Sequence, residues 1–273
     1  MSVPVPLIEA GDARTFGGKA AHLALAAGAS LPVPEGVALP WRLVDAVAAR
    51  DPEATALLAA AAPLGDSLAV RSSAVGEDSG RASFAGQHLS LLGVRAVGLA
   101  AAVEAVWRSV REEPARAYRG SLGVAGDLRA GIVVQSMVRA DVAGVLFCPN
   151  PLTGADEVVI EAAWGLGEAV VSGLVIPDLV RLSTAGNVLE RRRGVKDVEV
   201  VAVAGGGTAN RSISGPRVLA PCLDARQLAG LHRLAIACER AFGGSQDLEW
   251  AFAGPRLWLL QRRPVTAKIG DSV

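Results

Sequence analysis

Short apolar runs bounded by polar or turn-forming residues dominate the chain beyond about residue 130. Runs of this length that are rich in β-branched residues are typical of strands. The pattern predicts strands over 131–138, 142–148, 157–163, 179–183, 188–191 and 195–203. A longer stretch, 224–242, predicts a helix with Asp224 as its N-cap and Gly243 and Gly244 at its end. The segment 204–217 is rich in Gly, Ser, Thr and Asn, which predicts a loop.

Helical patterns dominate the first part of the chain. They predict helices over 20–29, 41–62 and 96–118. Pro114 is a point of interruption in the third helix. The prolines in 31–36 predict an extended connector, because each proline disfavours the helical region for the residue before it.

The change of pattern near residue 130 also predicts how the chain is organised. Mixed helices and strands come first, and a strand-rich part follows. The expectation is an α+β protein of two lobes, 1–134 and 135–273. A cleft between lobes is a usual place for a ligand.

Two further strands are predicted within 246–264, and a turn at Gly254 and Pro255 joins them into a hairpin. Its polar positions are Asp247, Glu249, Gln261 and Arg263. Side chains two apart on a strand share a face, so these four are expected to form one polar cluster. Carboxylate and amide oxygens suit Mg²⁺, and an arginine neutralises phosphate oxygens, which indicates a site for a metal-bound polyphosphate. The structural alternative is an ordinary cross-strand ion pair between Arg263 and Glu249.

A second candidate site lies early in the chain. A predicted strand ends at Arg71, and the loop after it contains Gly76 and Gly86, which let backbone N–H groups approach an anion closely. Lys19 stands at the start of a predicted helix, where a positive charge opposes the helix dipole unless it faces an anion. Arg71 has a structural alternative, an ion pair with a nearby carboxylate such as Glu77.

Composition narrows the classes of function. The 273 residues carry 27 basic and 27 acidic side chains, so the formal charge is zero and neither a nucleic acid nor a membrane is the expected partner. Cys148, Cys222 and Cys238 are widely spaced, which predicts reduced core residues. The N-terminus lacks the basic start and apolar run of a signal peptide, so the cytoplasm is the default location.

Two familiar nucleotide motifs are absent from the sequence. The stretch around Lys19 is not GxxxxGK[ST], because Ala13 occupies the first glycine position and Ala20 follows the lysine. The segment GLGEAVVSG lacks the spacing of GxGxxG. A P-loop or dinucleotide-binding fold is therefore disfavoured.

Six segments in register carry a resemblance to a known family. They are GGKAAHL, AVRSSAVGED, SFAGQHLSLLGV, VVQSMVRADVAGVLFCPNPLTG, EAAWGLGEAVVSGLVIPD and QDLEWAF with LWLLQRRPVT. Together they resemble the ATP-binding domain shared by phosphoenolpyruvate synthase, pyruvate phosphate dikinase and rifampicin phosphotransferase. The resemblance covers nearly the whole chain and implies an ATP-grasp fold, in which two α+β lobes clasp ATP.

The resemblance also implies a role for particular positions. Lys19 and Arg71 would contact the ATP phosphates, and Glu249 and Gln261 would hold Mg²⁺. The supporting positions would be Gly86 and Ser90 in the phosphate-covering loop, Gln135, Ser136, Met137 and Val138 at the adenine, and Asp247 and Arg263 at the phosphate end.

Other positions keep two interpretations. Glu161 would either orient the ribose or bond to loop amides. Lys196 stands where the family often has a lysine, and a solvent-facing role is equally open. The histidines, His22, His88 and His232, lack metal-ligand spacing and are expected to be structural.

In the family, the ATP domain passes a phosphoryl or pyrophosphoryl group to a histidine on a separate swivelling domain. The 273 residues do not include such a domain, so the expectation is a partner on a separate polypeptide, direct transfer to a small acceptor, or a chain that is a fragment of a longer one. The leading hypothesis is therefore a stand-alone Mg-ATP-dependent phosphotransferase module. Its acceptor is either that histidine on a separate protein or a small molecule. The alternatives are an ATP-grasp ligase that forms an acyl phosphate and a non-catalytic ATP-binding subunit.

Overall fold

The structure is a computed structural model, and it describes residues 2–75, 89–111 and 129–264. The chain divides into two compact units. Of the described residues, unit 1 contains those within Met1–Gly28, Pro34–Met137 and Val203–Gly207. Unit 2 contains those within Ala29–Val33, Val138–Ala202 and Thr208–Val273. The expected α+β fold is confirmed, since each unit combines helices with an open antiparallel sheet.

Unit 1 contains a five-stranded sheet with the strand order β1-β2-β5-β3-β4, and every neighbouring pair is antiparallel. Its strands are β1 (Val5–Pro6), β2 (Gly36–Leu39), β3 (Leu68–Ala74), β4 (Ser90–Val94) and β5 (Ala130–Ser136). Its helices are α1 (Ala13–Phe16), α2 (Gly18–Gly28), α3 (Trp41–Ala48), α4 (Pro52–Ala56) and α5 (Leu99–Ser109). Short 3₁₀ helices cover Leu7–Glu9, Leu57–Leu64 and Ala96–Gly98.

The core of unit 1 lies between this sheet and helices α3 and α5. Val70 and Ile132 from the sheet join Leu43, Val44 and Val103 from the helices in one buried cluster. Every residue of β3 is buried, so the strand is covered on both faces. The second face of β3 lies against α2. Arg71 and Ser73 alternate with the core residues, which places them on this second face.

The single helix predicted over 41–62 is wrong. Helix α3 stops before Arg50, which has a positive φ of 61°. Pro52 then occupies the first turn of a new helix, where its missing N–H is not needed. The Asp51 carboxylate accepts from the N–H groups of Glu53 and Ala54 and fixes this start. The helix predicted over 96–118 contains a 3₁₀ turn followed by α5, and its part beyond residue 111 lies outside the described residues.

Unit 2 contains a six-stranded antiparallel sheet with the order β13-β12-β6-β7-β8-β9, and a separate pair, β10-β11. The strands are β6 (Val142–Cys148), β7 (Glu157–Trp164), β8 (Asp178–Ser183), β9 (Val188–Arg192), β10 (Val198–Ala202), β11 (Thr208–Ser212), β12 (Gln246–Ala253) and β13 (Arg256–Pro264). The helices are α6 (Glu168–Val171), α7 (Ala225–Phe242) and the 3₁₀ turn Gly215–Val218.

The loop predicted over 204–217 is wrong in part, because β11 lies within it and pairs with β10 along its whole length. All five residues of β11 are exposed, so the strand lacks the apolar alternation that marks a strand in sequence. Backbone pairing alone defines this strand. The connector predicted over 31–36 likewise ends in a strand, since β2 begins at Gly36.

Helix α7 covers one face of the large sheet in unit 2. Its first turn carries a capping box, in which Asp224 and Gln227 satisfy each other's backbone N–H groups. The apolar side of the helix is buried, and it packs against β6, β12 and β13. The sheet residues of this face, such as Leu146, Leu248 and Trp250, are fully buried. The residues that alternate with them lie on the opposite face, which carries the polar side chains.

Candidate functional site

The C-terminal hairpin brings its four predicted polar residues onto one face of the sheet. Asp247 pairs directly with Arg263, and Glu249 pairs directly with Gln261. The register then shifts, because Trp250 pairs with Leu259. Leu260 is therefore the extra residue of a β-bulge. Without a bulge, Leu259 and Gln261 would lie on the same face of the hairpin, because they are two residues apart. The bulge places Leu259 on the buried face with Trp250, and Gln261 and Arg263 on the polar face.

Glu249 and Arg263 form an ion pair in this cluster. The guanidinium reaches diagonally across the two strands, and its Nη2 donates to the Glu249 carboxylate at 2.9 Å. Both side chains are largely buried, with exposed fractions of 17% for Arg263 and 18% for Glu249. The ion pair that the sequence left open as an alternative is therefore present in the hairpin.

The same carboxylate lies beside a second hard oxygen ligand. Glu249 and Gln261 are direct cross-strand neighbours, for which Cβ atoms are about 4.5–5.5 Å apart. Such a pair can bind one cation from the same side of the sheet. Within the described ranges, no group of three or more His, Cys, Asp or Glu side chains could hold a metal ion. A cation at Glu249 and Gln261 would thus need further ligands from water or a bound anion, which is the usual situation for Mg²⁺.

Glu161 lies on the same face as Glu249. The register runs from Glu249 on β12 through Val145 on β6 to Glu161 on β7. Two strand spacings separate the two carboxylate-bearing strands, or about 10 Å. Half-buried Val145 occupies the middle of this row. Gly144 keeps β6 and β7 close, because a Cβ there would lie 1.9 Å from the Glu161 carbonyl oxygen.

Unit 1 contains two of the predicted cationic residues, and both are buried. Lys19 is the second residue of α2 and is 6% exposed, and Arg71 in β3 is 8% exposed. Ser90, predicted to lie in the phosphate-covering loop, is instead the first residue of β4 and pairs directly with Arg71. Buried lysine and arginine are rare unless they are paired, so both positions require a favourable electrostatic environment. Gly86, the other predicted loop residue, lies outside the described residues.

The predicted adenine segment is held largely by protein contacts. The Gln135 side-chain amide donates to the Pro34 carbonyl at 3.1 Å. The backbone N–H of Ser136 donates to Glu35, and that of Met137 donates to Ser67, both at 2.9 Å. These two N–H groups are engaged, so they do not serve as donors to a ring edge. The assignment of this segment, including Val138, to adenine stays a prediction that depends on its other backbone groups.

Lys196 is not solvent-facing, so that interpretation is wrong. The side chain is fully buried, and its Nζ donates to the Asp178 carboxylate at 2.5 Å. The backbone N–H groups of Gly194 and Cys222 donate to the same carboxylate at 2.8 and 2.9 Å. Burial by itself raises the pKa of Asp178, but these hydrogen bonds outweigh it and hold the pKa below its usual value. Sequence analysis missed Asp178, because no local pattern links it to Lys196.

The histidines and cysteines are the remaining polar candidates. His232 lies with its Nε2 atom 2.9 Å from the Thr184 carbonyl oxygen, which anchors the turn after β8 to α7. The cysteines are free, and burial raises the pKa of Cys222 above its usual range and that of Cys238 to about 12. His88 lies outside the described residues.

None of the helices in the described part of the chain has the length and hydropathy needed to cross a bilayer.

Comparison with known proteins identifies the family. The chain matches the family model described as pyruvate phosphate dikinase, AMP/ATP-binding domain, over residues 39–272. The chain therefore belongs to this family, which includes ATP-dependent phosphotransferases. The resemblance found in the six sequence segments is confirmed.

Individual relatives support the same assignment. The chain is 41% identical over 207 residues to prodigiosin synthesizing transferase PigC of Serratia marcescens, 38% over 232 residues to a rifampicin phosphotransferase of Streptomyces sviceus, and 36% over 202 residues to a probable phosphoenolpyruvate synthase of Methanothermobacter thermautotrophicus. These alignments cover 75%, 82% and 73% of this chain but 23%, 26% and 29% of the relatives. The chain thus spans about a quarter of the length of these relatives.

Proposed function

We propose that this chain binds Mg-ATP and transfers a phosphoryl or pyrophosphoryl group from it to an acceptor. The observation that carries the proposal is the polar cluster of the C-terminal hairpin, in which a carboxylate, an amide and a guanidinium converge on one face. Membership of an AMP/ATP-binding family supports ATP as the nucleotide. Relatives named as phosphotransferases support group transfer as the chemistry.

Each group in the cluster has a distinct task in this proposal. Glu249 and Gln261 supply the hard oxygen ligands of Mg²⁺, which when bound neutralises the charge on the phosphate chain. Arg263 offsets charge on a transferred or leaving oxygen, with Asp247 beside it across the strands. Lys19 and Arg71, which are outside this cluster, would bind phosphate oxygens, as the family resemblance implies. Catalysis by such an arrangement is mainly positioning and electrostatic stabilisation.

The carboxylate of Glu249 takes part in both the ion pair with Arg263 and the proposed metal site. Without a cation, the guanidinium neutralises the carboxylate. Glu249 would hold Mg²⁺ through the same carboxylate, and Arg263 would then be available to bind a phosphate oxygen. The ion pair and the metal site are then two states of the same residues, and nucleotide and metal are expected to bind cooperatively.

The acceptor defines a second part of the proposal. We propose that the acceptor is either a histidine on a separate swivelling protein or a small molecule. Nothing in the described residues selects between them.

The test is nucleotide turnover in the variant Glu249→Ala. We expect Mg-ATP consumption to fall at least 100-fold while the far-UV circular dichroism spectrum stays unchanged, since the loss of a metal ligand removes several kcal/mol of charge stabilisation. Glu239→Ala is the matched control, because this carboxylate is exposed on α7, which covers the opposite face of the sheet. Unchanged turnover in Glu249→Ala would refute the proposal.

Analysis of the products separates the proposed chemistry from its alternatives. Transfer of a pyrophosphoryl group gives AMP with a pyrophosphorylated acceptor, or AMP with orthophosphate and a phosphorylated acceptor. Transfer of a phosphoryl group gives ADP with a phosphorylated acceptor. ADP together with an amide or ester supports a ligase. Stabilisation by Mg-ATP in a thermal-shift titration without any consumption of ATP supports a non-catalytic ATP-binding subunit, and no stabilisation supports an inactive remnant.

A further inference from the structure

A buried serine connects the first turn of α2 to strand β3. The Ser73 hydroxyl oxygen accepts a hydrogen bond from the backbone N–H of Ala20 at 3.0 Å, although the two residues are 53 positions apart. Ser73 is fully buried. The N–H groups of a helical first turn have no partner within the helix, so a side chain from a strand here does the work of a cap.

Two glycines allow the backbone to come this close. Gly17, with a positive φ of 84°, precedes α2, and a Cβ there would lie 1.9 Å from the Ser73 carbonyl oxygen. Gly131 is the direct cross-strand partner of Ser73, and a Cβ there would lie 2.4 Å from the Phe16 carbonyl oxygen. The chain entering α2 is therefore in direct backbone contact with both β3 and β5. No larger residue fits at Gly17 or Gly131 without a shift of the backbone.

This junction involves residues next to the two buried cationic side chains described above, Lys19 and Arg71. Lys19 directly precedes Ala20, whose N–H is bound by Ser73. Arg71 is two residues before Ser73 on the same strand and therefore shares its face. The hydrogen bond of Ser73 thus fixes the start of α2, and with it Lys19, relative to Arg71. Two long side chains bind a single anion well only if their backbones are held in register.

We propose that Ser73 is a positioning residue that aligns Lys19 with Arg71 for binding the phosphate chain of the nucleotide. This inference deepens the proposed function and rests on it. Ser73 does not itself have to touch the nucleotide. Ser73 therefore affects only the part of the ATP affinity that comes from the phosphates. Adenosine has no phosphate, so Ser73 does not affect its affinity.

The test compares ATP with adenosine in the full chain. In Ser73→Ala, we expect the Kd for Mg-ATP to rise about 5- to 10-fold, which is the effect of losing the net contribution of about one hydrogen bond. The Kd for adenosine, measured by ligand-observed NMR, should stay within 2-fold. Ser109→Ala is the matched control, because the bond that its hydroxyl makes in the described part of the chain is to the Val106 carbonyl within α5.

A double-mutant cycle with Lys19→Ala identifies the path of the effect. If Ser73 acts through Lys19, Ser73→Ala has little further effect on ATP binding once Lys19 is removed. Should Ser73→Ala not fold, Ser73→Cys preserves most of the volume and replaces the hydroxyl by a weak acceptor, and it serves in the same cycle.

The outcomes distinguish this inference from the proposed function. Equal losses for ATP and adenosine, additive effects in the cycle, or unchanged ATP binding in a folded Ser73 variant would each overturn the positioning role. If Lys19→Ala weakens ATP binding while Ser73→Ala does not, the phosphate site stands and only this inference fails. If Lys19→Ala also binds ATP normally, the phosphate site of the proposed function fails with it.

Discussion

The buried ion pair of unit 2 offers a prediction about stability. Asp178→Asn preserves the shape of the side chain but removes the charge that neutralises Lys196. The Lys196 ammonium, which is fully buried, then has no carboxylate at 2.5 Å. Lys196→Met is the matched comparison, because it leaves Asp178 with the N–H groups of Gly194 and Cys222.

The magnitudes follow from what each variant leaves behind. Removal of one partner from a buried ion pair costs about 3–5 kcal/mol of unfolding free energy, since it leaves a charge without compensation. We expect Asp178→Asn to lie in this range. Lys196→Met should cost less, about 1–3 kcal/mol, because two charge-assisted hydrogen bonds still stabilise the carboxylate. For a protein of this size, a loss of about 4 kcal/mol lowers Tm by roughly 8–16 °C.

Chemical unfolding followed by circular dichroism measures both variants at pH 7. The pH dependence gives a second check. Because the folded pKa of Asp178 lies below its unfolded value, the wild-type carboxylate stabilises the fold above the unfolded pKa, and this stabilisation is lost as the pH falls through the folded pKa. Asp178→Asn should lose that part of the acid sensitivity. Equal stability of Asp178→Asn and wild type, or a larger loss in Lys196→Met, would refute the reasoning.

Two further predictions concern the hairpin. Arg263→Gln should weaken Mg-ATP binding about 10-fold or more, because a cation at the phosphate end is lost. Binding of Mn²⁺ alone should become no weaker, since Glu249 loses its ion pair with Arg263. Isothermal titration calorimetry measures both affinities, and weaker binding of Mn²⁺ alone would contradict the exchange of partners. Trp250→Phe should lower the free energy of unfolding, measured in urea, by less than about 1.5 kcal/mol. The reason is that the indole N–H is fully buried and has no acceptor among the described residues, so no hydrogen bond is lost. A loss above about 3 kcal/mol would show that this N–H is satisfied.

The hairpin and α7 show how far local pattern determines structure. Both follow from spacing within about 20 residues, as two-residue alternation for the strands and as an N-cap followed by a helical repeat for α7. Strand β11 shows the limit, because its residues are all polar or small and exposed, so its pairing leaves no trace in hydrophobicity. The helix predicted over 41–62 failed for a local reason, since Pro52 and its cap at Asp51 outweigh the run of helix-forming alanines.

By itself, the sequence determined the family, the face of the hairpin on which its carboxylates lie, and the cationic residues at the start of α2 and in β3. Only the tertiary structure decided that Leu260 forms a bulge, that Glu249 pairs with Arg263, that Lys196 is neutralised by Asp178, and that Ser73 caps α2. The physical reason is distance along the chain. Periodicity records which face a side chain occupies within one element, whereas a buried charge or N–H group is satisfied by whichever partner the fold brings within hydrogen-bonding distance.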